Sequence, residues 1–229
     1  MNADTTYAPA IGRPEVVASV LASAFGADPF AAWLFPDPDR RAAYQDGFYR
    51  SFLDHPGAEA YLAGGDTGAA IWVRLGANES LHQDGPTAGP LARLFAVGSA
   101  LARRHPVDRP HLYLAVMGVA AGAQGRGIGS ALLRHRLDRA DREGEPAYLE
   151  ASSPGSRALY LRHGFADLGG PVQVEDSPLV QPMWRNATTG TSPAATATGT
   201  AGADIGAAAA RTATAAAPVS TATTTATEN

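Results

Sequence analysis

A chain of 229 residues, 45% hydrophobic and 17% charged, is long enough to bury one sizeable core, so one domain with a tail is expected. The net charge of -4 and the pI near 5.8 supply no general attraction to nucleic acid or an anionic membrane, so an anionic ligand must be met by a local site. The absence of cysteine excludes disulfide frameworks, thiolate metal sites and cysteine nucleophiles together, and no two histidines are spaced as in HExxH, so no metal is expected.

The start, MNADTTYAPAIGRPE, has neither the basic nor the apolar segment of a secretory leader. No later apolar run approaches the roughly 20 residues that cross a bilayer, which predicts a cytoplasmic protein without membrane or nucleic-acid partners, as a monomer or homodimer. Pro14 opens a predicted helix whose apolar face is Val16, Val17, Val20, Leu21, Ala24 and Phe25, ended near Gly26. DPFAAWLFPDPDRR then sets Phe30, Trp33 and Phe35 between prolines, and Tyr44, Phe48 and Phe52 at four-residue spacing predict a second helix.

EAYLAGGDTGAAIWVRL places two strand-like runs around GGDTG, a hairpin signal, and residues 76–89 read as a polar loop. PLARLFAVGSALARRHP predicts a helix from Pro90, and HLYLAVMGV, residues 111–119, a buried central strand. Beyond a glycine-rich stretch, Ile128, Ala131, Leu132, Leu133, Leu137 and Ala140 line one side of a helix that ends near Gly144. AYLEASS follows as a strand, SPGSRALYLRHGF as a short helix with a Gly-Phe exit, and PVQVEDSPLVQPMWR as two strand-like runs around a turn. From Asn186 the chain reduces to Ala, Thr, Gly and Ser, so residues 1–185 are expected to form the domain and residues 186–229 a disordered tail. Strands mixed with helices predict a mixed α/β sheet.

The glycines of VAAGAQGRGIGSALL stand where a helix should start, at a cost of about 1 kcal/mol each relative to alanine inside a helix. A strand that runs into such a turn offers unpaired N–H groups, the positive end of the helix dipole and no Cβ atoms to hold an anion away, which is a cradle for phosphate. Spacing selects among cradles. All 18 Lys and Arg positions are Arg, so the lysine of GxxxxGK[ST] is missing, and GxGxxG fails because Ser130 stands at its last position, with Gly129 one residue early.

QGRGIG, residues 124–129, resembles the Q/RxxGxG/A acyl-CoA pyrophosphate loop of the GNAT superfamily of N-acetyltransferases, and ALYLRHGF resembles that family's second signature, a Tyr followed by Gly-Phe. PDPDR and YLEASSPGSRALYLRHGF extend the resemblance toward puromycin N-acetyltransferase-like small-molecule acetyltransferases. The fold so implied is an α/β (α+β) domain whose central mixed, mostly antiparallel sheet is flanked by helices, with a V-shaped splay between strands 111–119 and 147–152.

The resemblance implies acetyl-CoA as co-substrate, its pyrophosphate on the loop Gln124, Gly125, Arg126, Gly127, Ile128, Gly129 and Ser130, and its pantetheine arm along Met117, Gly118 and Val119. Ser153 stands where many members carry an Asn that contacts the cofactor. Tyr160 matches the general acid, and Glu150, a carboxylate inside an apolar strand, resembles a general base. The acceptor wall falls on the aromatic segments of Phe30, Trp33 and Trp72, with Asp28, Asp37 and Asp39 able to attract an ammonium, which suits direct transfer to a small-molecule primary amine. A non-catalytic acyl-CoA-binding domain, or a hydroxyl or protein N-terminus as acceptor, remains open at this stage. Among the histidines, His163 reads as a helix cap, His55, His82, His105 and His135 as loop or solvent-facing residues, and His111 as a strand start.

Overall fold

A computed structural model describes residues 8–10, 13–82 and 85–188. The low-complexity segment expected to be disordered lies, beyond Thr188, outside the described residues. In chain order the elements are β1 (Ala8–Pro9), α1 (Pro14–Phe25), α2 (Pro29–Leu34), α3 (Pro38–Leu53), β2 (Ala58–Ala63), β3 (Gly68–Leu75), α4 (Ala92–Ala102) and β4 (His111–Val119). A short 3-10 turn (Ala121–Ala123) leads to α5 (Ile128–Glu143), β5 (Ala147–Ala151), α6 (Pro154–Arg162), β6 (Ala166–Asp167) and β7 (Gln181–Arg185). None of the described helices is long and apolar enough to cross a membrane.

The strands form one seven-stranded sheet in the order β1-β2-β3-β4-β5-β7-β6, antiparallel except for the β4 and β5 pair. Alternation along the strands builds two cores. Ala63, Ala70, Trp72, Leu112, Leu114 and Leu149 face α5 through Ile128, Leu132, Leu133 and Leu137, while Leu62, Ala69, Ile71 and Val116 face α1 and α3. The expected hairpin closes through Gly64, Gly65 and Asp66, all at positive φ, with Thr67 Oγ1 donating to the Gly64 carbonyl at 2.7 Å.

Two features depart from the periodicity. DPFAAWL forms its own short helix, because Asp28 accepts from the Ala31 N–H at its N-terminus and Pro29 occupies the first turn, where its missing N–H costs nothing. The run PVQV makes only an isolated bridge, Val172 to Val180, and β7 takes its outer partner from Ala166–Asp167 instead. Ser177 Oγ satisfies the Val174 N–H in place of a strand neighbour, so side-chain bonding competes with pairing there.

One glycine is required by packing. A Cβ at Gly118 would lie 2.7 Å from Ala24 Cβ and 3.0 Å from Phe25 Cε2 of α1, so the helix seats on β4 only where no side chain intervenes. Gly118→Val is expected to destabilise the fold by about 1–3 kcal/mol through overpacking. The check is the urea midpoint, and an unshifted midpoint shows that α1 is free to move away.

Candidate active site

The sheet opens at β4. Its register on β3 slips between Ile71 and Trp72, which pair with Val116 and Leu114, so Ala115 is an unmatched extra residue. Leu114 and Met117 therefore pack toward α5, with Ala115 and Val116 between them toward α1. On its other side β4 pairs with β5 only through Leu112, Leu114 and Tyr113, matched to Ala147, Leu149 and Tyr148. Beyond that point β5 keeps only β7, through Glu150 to Pro182 and Ala151 to Gln181, and the β4 edge at Met117, Gly118 and Val119 faces the gap without a strand partner. This is the expected splay, and it leaves one edge of β4 without a strand neighbour along one side of a cleft.

The glycine stretch lies at the end of that edge. Gly125 and Gly127 have φ of +74° and +82°, and a Cβ on either would meet nothing within 4 Å, so the backbone turns left-handed toward open space. Gln124 Nε2 donates to the Val119 carbonyl at 3.0 Å, which ties the loop to the strand and commits that side chain to the loop itself. The α5 helix begins without a side-chain cap, and its first helical bond runs from the Ala131 N–H to the Gly127 carbonyl at 2.9 Å. The amides of Ile128, Gly129 and Ser130 thus have no acceptor within the helix, and the exposed Arg126 stands beside them. A cradle that side chains would fill and that none enters fits a pyrophosphate.

Two further loop-side expectations are refined. Ser130 Oγ lies 3.1 Å from His163 Nε2, joining α5 to the end of α6, where His163 is the cap residue. Ser153 is the N-cap of α6 in a reciprocal capping box with Ser156, so its hydroxyl holds the helix start.

Glu150 lies just past the last β4–β5 pair, with its side chain 10% exposed. Tyr113 donates its hydroxyl to Glu150 Oε2 at 2.7 Å. Burial pushes the Glu150 carboxyl up to about 7, a rise that the Tyr113 and Tyr148 hydroxyls only partly offset. The Tyr148 hydroxyl lies near enough to act on the carboxyl but meets no partner at full hydrogen-bond geometry. Tyr160 reaches the same neighbourhood from α6, its ring packed on Phe165. Burial, then the Glu150 charge, raises its hydroxyl well above the ordinary range, so it stays protonated through neutral pH.

The structure corrects three expectations. Trp72 has no exposed surface and sits in the core beneath α5, so it lines no wall, because the bulge that opens the sheet begins one pair further along β4. Asp28 and Asp37 accept from backbone N–H groups at the starts of α2 and α3, which commits them to capping. His105, read as loop or solvent-facing, is largely buried with its ring beside Glu150, while His111 starts β4 as expected and is buried there. Phe30 and Trp33 stack at 6.5 Å, with Trp33 donating to Asp176 at 2.7 Å and Arg93 lying 4.9 Å over its ring. Trp33 borders a cleft of about 180 Å³ shared with Arg93, Phe95 and Val174. Tyr113 was missed because only its phase with His111 in HLYL marks it, and nothing adjacent in sequence links it to residue 150.

The model of the acetyltransferase (GNAT) family matches residues 32–165. The chain belongs to the GNAT acetyltransferase family. It is similar to the structure described as histone acetyltransferase HPA2 and related acetyltransferase from Corynebacterium glutamicum, at 30% identity over 82% of this chain and 99% of that one, with a TM-score of 0.60. It shares its fold with arylalkylamine N-acetyltransferase 2 from Aedes aegypti, at 12% identity over 81% of this chain and 100% of that one, TM-score 0.62. The same holds for the ribosomal-protein-S18-alanine N-acetyltransferase of Escherichia coli, at 15% identity over 84% and 99%, TM-score 0.51. This GNAT protein is an N-acetyltransferase, and acetyl-CoA is the ligand that its fold binds.

Proposed function

We propose that the chain transfers the acetyl group of acetyl-CoA directly to a primary amine of a small molecule. The observation that carries this reading is a carboxyl held near neutrality, Glu150, at the opening where β4 leaves β5. Bound acetyl-CoA supplies the activated thioester. The amides of residues 125–130, with Arg126, hold its pyrophosphate, and the free edge at Met117, Gly118 and Val119 aligns its amide-bearing arm. Glu150 takes the proton of the attacking nitrogen at a carboxylate oxygen, and Tyr160 gives its hydroxyl proton to the departing sulfur. Half-buried Phe30, stacked on the core residue Trp33, is the aromatic surface read as meeting the acceptor, which favours an aromatic or apolar amine over a charged peptide.

Tyr160→Phe is expected to lower kcat by about 100-fold with little change in acetyl-CoA affinity, since the hydroxyl acts on the leaving group. Stopped-assay kinetics with calorimetric Kd separate the two, and wild-type turnover removes the acid role. The acceptor class is tested by thiol release from acetyl-CoA against puromycin, tryptamine and a peptide with a free N-terminus. Release with the peptide alone overturns the small-molecule reading and aligns the chain with protein-directed relatives.

A further inference from the structure

His105 borders Glu150 and the buried His111 stands behind it, and the proton positions of both follow from one carbonyl. His111 Nδ1 lies 3.0 Å from the Arg109 carbonyl oxygen, which can only accept, so His111 carries its proton on Nδ1 and presents a lone pair at Nε2. That lone pair lies 2.8 Å from His105 Nε2, which must therefore carry the other proton. Burial, then the neighbouring His111, lowers His105 to about 4, so the ring is neutral at physiological pH. Its remaining nitrogen, Nδ1, is then a bare lone pair 3.9 Å from Glu150 Oε1.

We propose that the Arg109 carbonyl locks the tautomers of His111 and His105 so that a lone pair faces Glu150, making the pair positioning residues that favour proton uptake by this carboxylate. This rests on the reading of Glu150 as the base. A lone pair repels a carboxylate and accepts from a carboxylic acid, so the arrangement stabilises Glu150 after it has acted. As the N–H bond of the acceptor breaks, its electron pair stays on nitrogen and an O–H bond forms at Oε1. That O–H points to His105 Nδ1, and the proton later passes to solvent as Glu150 is regenerated. Shortening the gap by about 1 Å brings it to hydrogen-bond range, and catalytic contacts commonly tighten in this way when substrate binds.

The surrounding groups leave this assignment intact. Glu150 is also faced by Tyr113 from β4, by Tyr148 of its own strand and by Tyr160 from α6, all with raised values and neutral. His105 packs against the Tyr113 and Tyr148 rings, and His111 against Tyr148 and the Trp184 ring of β7, with Asp108 and Arg109 acting on it from the preceding loop.

The test uses the full chain and needs no acceptor. Long-range ¹⁵N spectra of histidine-labelled protein at pH 7.5 are expected to show His111 protonated on Nδ1 and His105 on Nε2; a proton on His105 Nδ1 overturns the proposal. In glutamate-¹³C-labelled protein, the Glu150 signal, assigned with Glu150→Gln, is expected to titrate about one unit lower in His111→Phe, which frees His105 to turn an N–H toward it. His105→Gln, whose amide can donate directly, is expected to shift it the same way. An unmoved midpoint in folded variants overturns the proposal, and where a variant does not fold, the tautomers of the unaltered chain decide. Failure of the base reading is distinct: Glu150→Gln would keep its kcat while the tautomers stayed as assigned.

Discussion

Glu150→Gln is expected to lower kcat by about 100- to 1000-fold and, at the same time, to stabilise the protein above neutral pH. The kinetic half follows from losing the carboxylate beside the splay that takes the nitrogen's proton. In the unaltered chain, activity should rise with pH through about 7 as Glu150 ionises, and the variant should lose that limb. The stability half has the opposite sign. Burial raises the folded carboxyl from 4.5 to about 7, so the folded state binds this proton more tightly than the unfolded chain. Its contribution is therefore fully present below the unfolded value and is lost as pH rises through about 7, a swing of about 3 kcal/mol. Glutamine has no such dependence. Thermal melts at pH 4 and 8.5 should show the variant close to the unaltered chain at the lower pH and more stable at the higher. An equal offset at both values, or undiminished turnover, overturns the assignment.

Gly127→Glu is expected to weaken acetyl-CoA binding by at least about 100-fold while the domain remains folded, because it brings a like charge to the pyrophosphate as well as a steric block. The new Cβ meets no atom within 4 Å, so nothing in the core resists it. What it does meet is backbone strain, since φ is +82° and a side chain in the left-handed region costs about 1–2 kcal/mol. Gly127→Ala carries that strain without the charge and serves as the control. Calorimetry of acetyl-CoA binding to the three proteins distinguishes them, and an affinity unchanged in Gly127→Glu removes the loop from the binding site.

Much of the frame was legible before any coordinates. The apolar stripe from Ile128 to Ala140, the Gly-rich entry to that helix, the GGDTG hairpin and the uninterrupted HLYLAVMGV strand are all encoded by neighbours within one or two turns of chain. The same locality made the cradle readable, because a backbone stripped of side chains ahead of a helix is a property of consecutive residues. Alternation within AYLEASS puts Glu150 on the face of Tyr148 and opposite Leu149, and the two faces of the sheet have that arrangement.

What the sequence by itself determined is therefore most of the order of elements and the glycine-rich turn that opens α5, and it is on that turn, Glu150 and Tyr160 that the proposed cofactor and proton-handling roles rest. Tertiary structure alone decided their surroundings. The extra residue at Ala115 that opens the sheet depends on the register of β3, and the fully buried Arg136 of α5 is explained only by Glu59 on β2 and Glu145. Trp72 turned out to be core, and His105 and Tyr113 converged on a carboxylate more than thirty-five residues further along the chain, with His111 behind His105. The physical reason is one of range. Helix starts, turns and stripes are governed by local sterics and hydrogen bonding, whereas burial, proton affinity and tautomer are set by whichever distant segments the fold packs against a side chain.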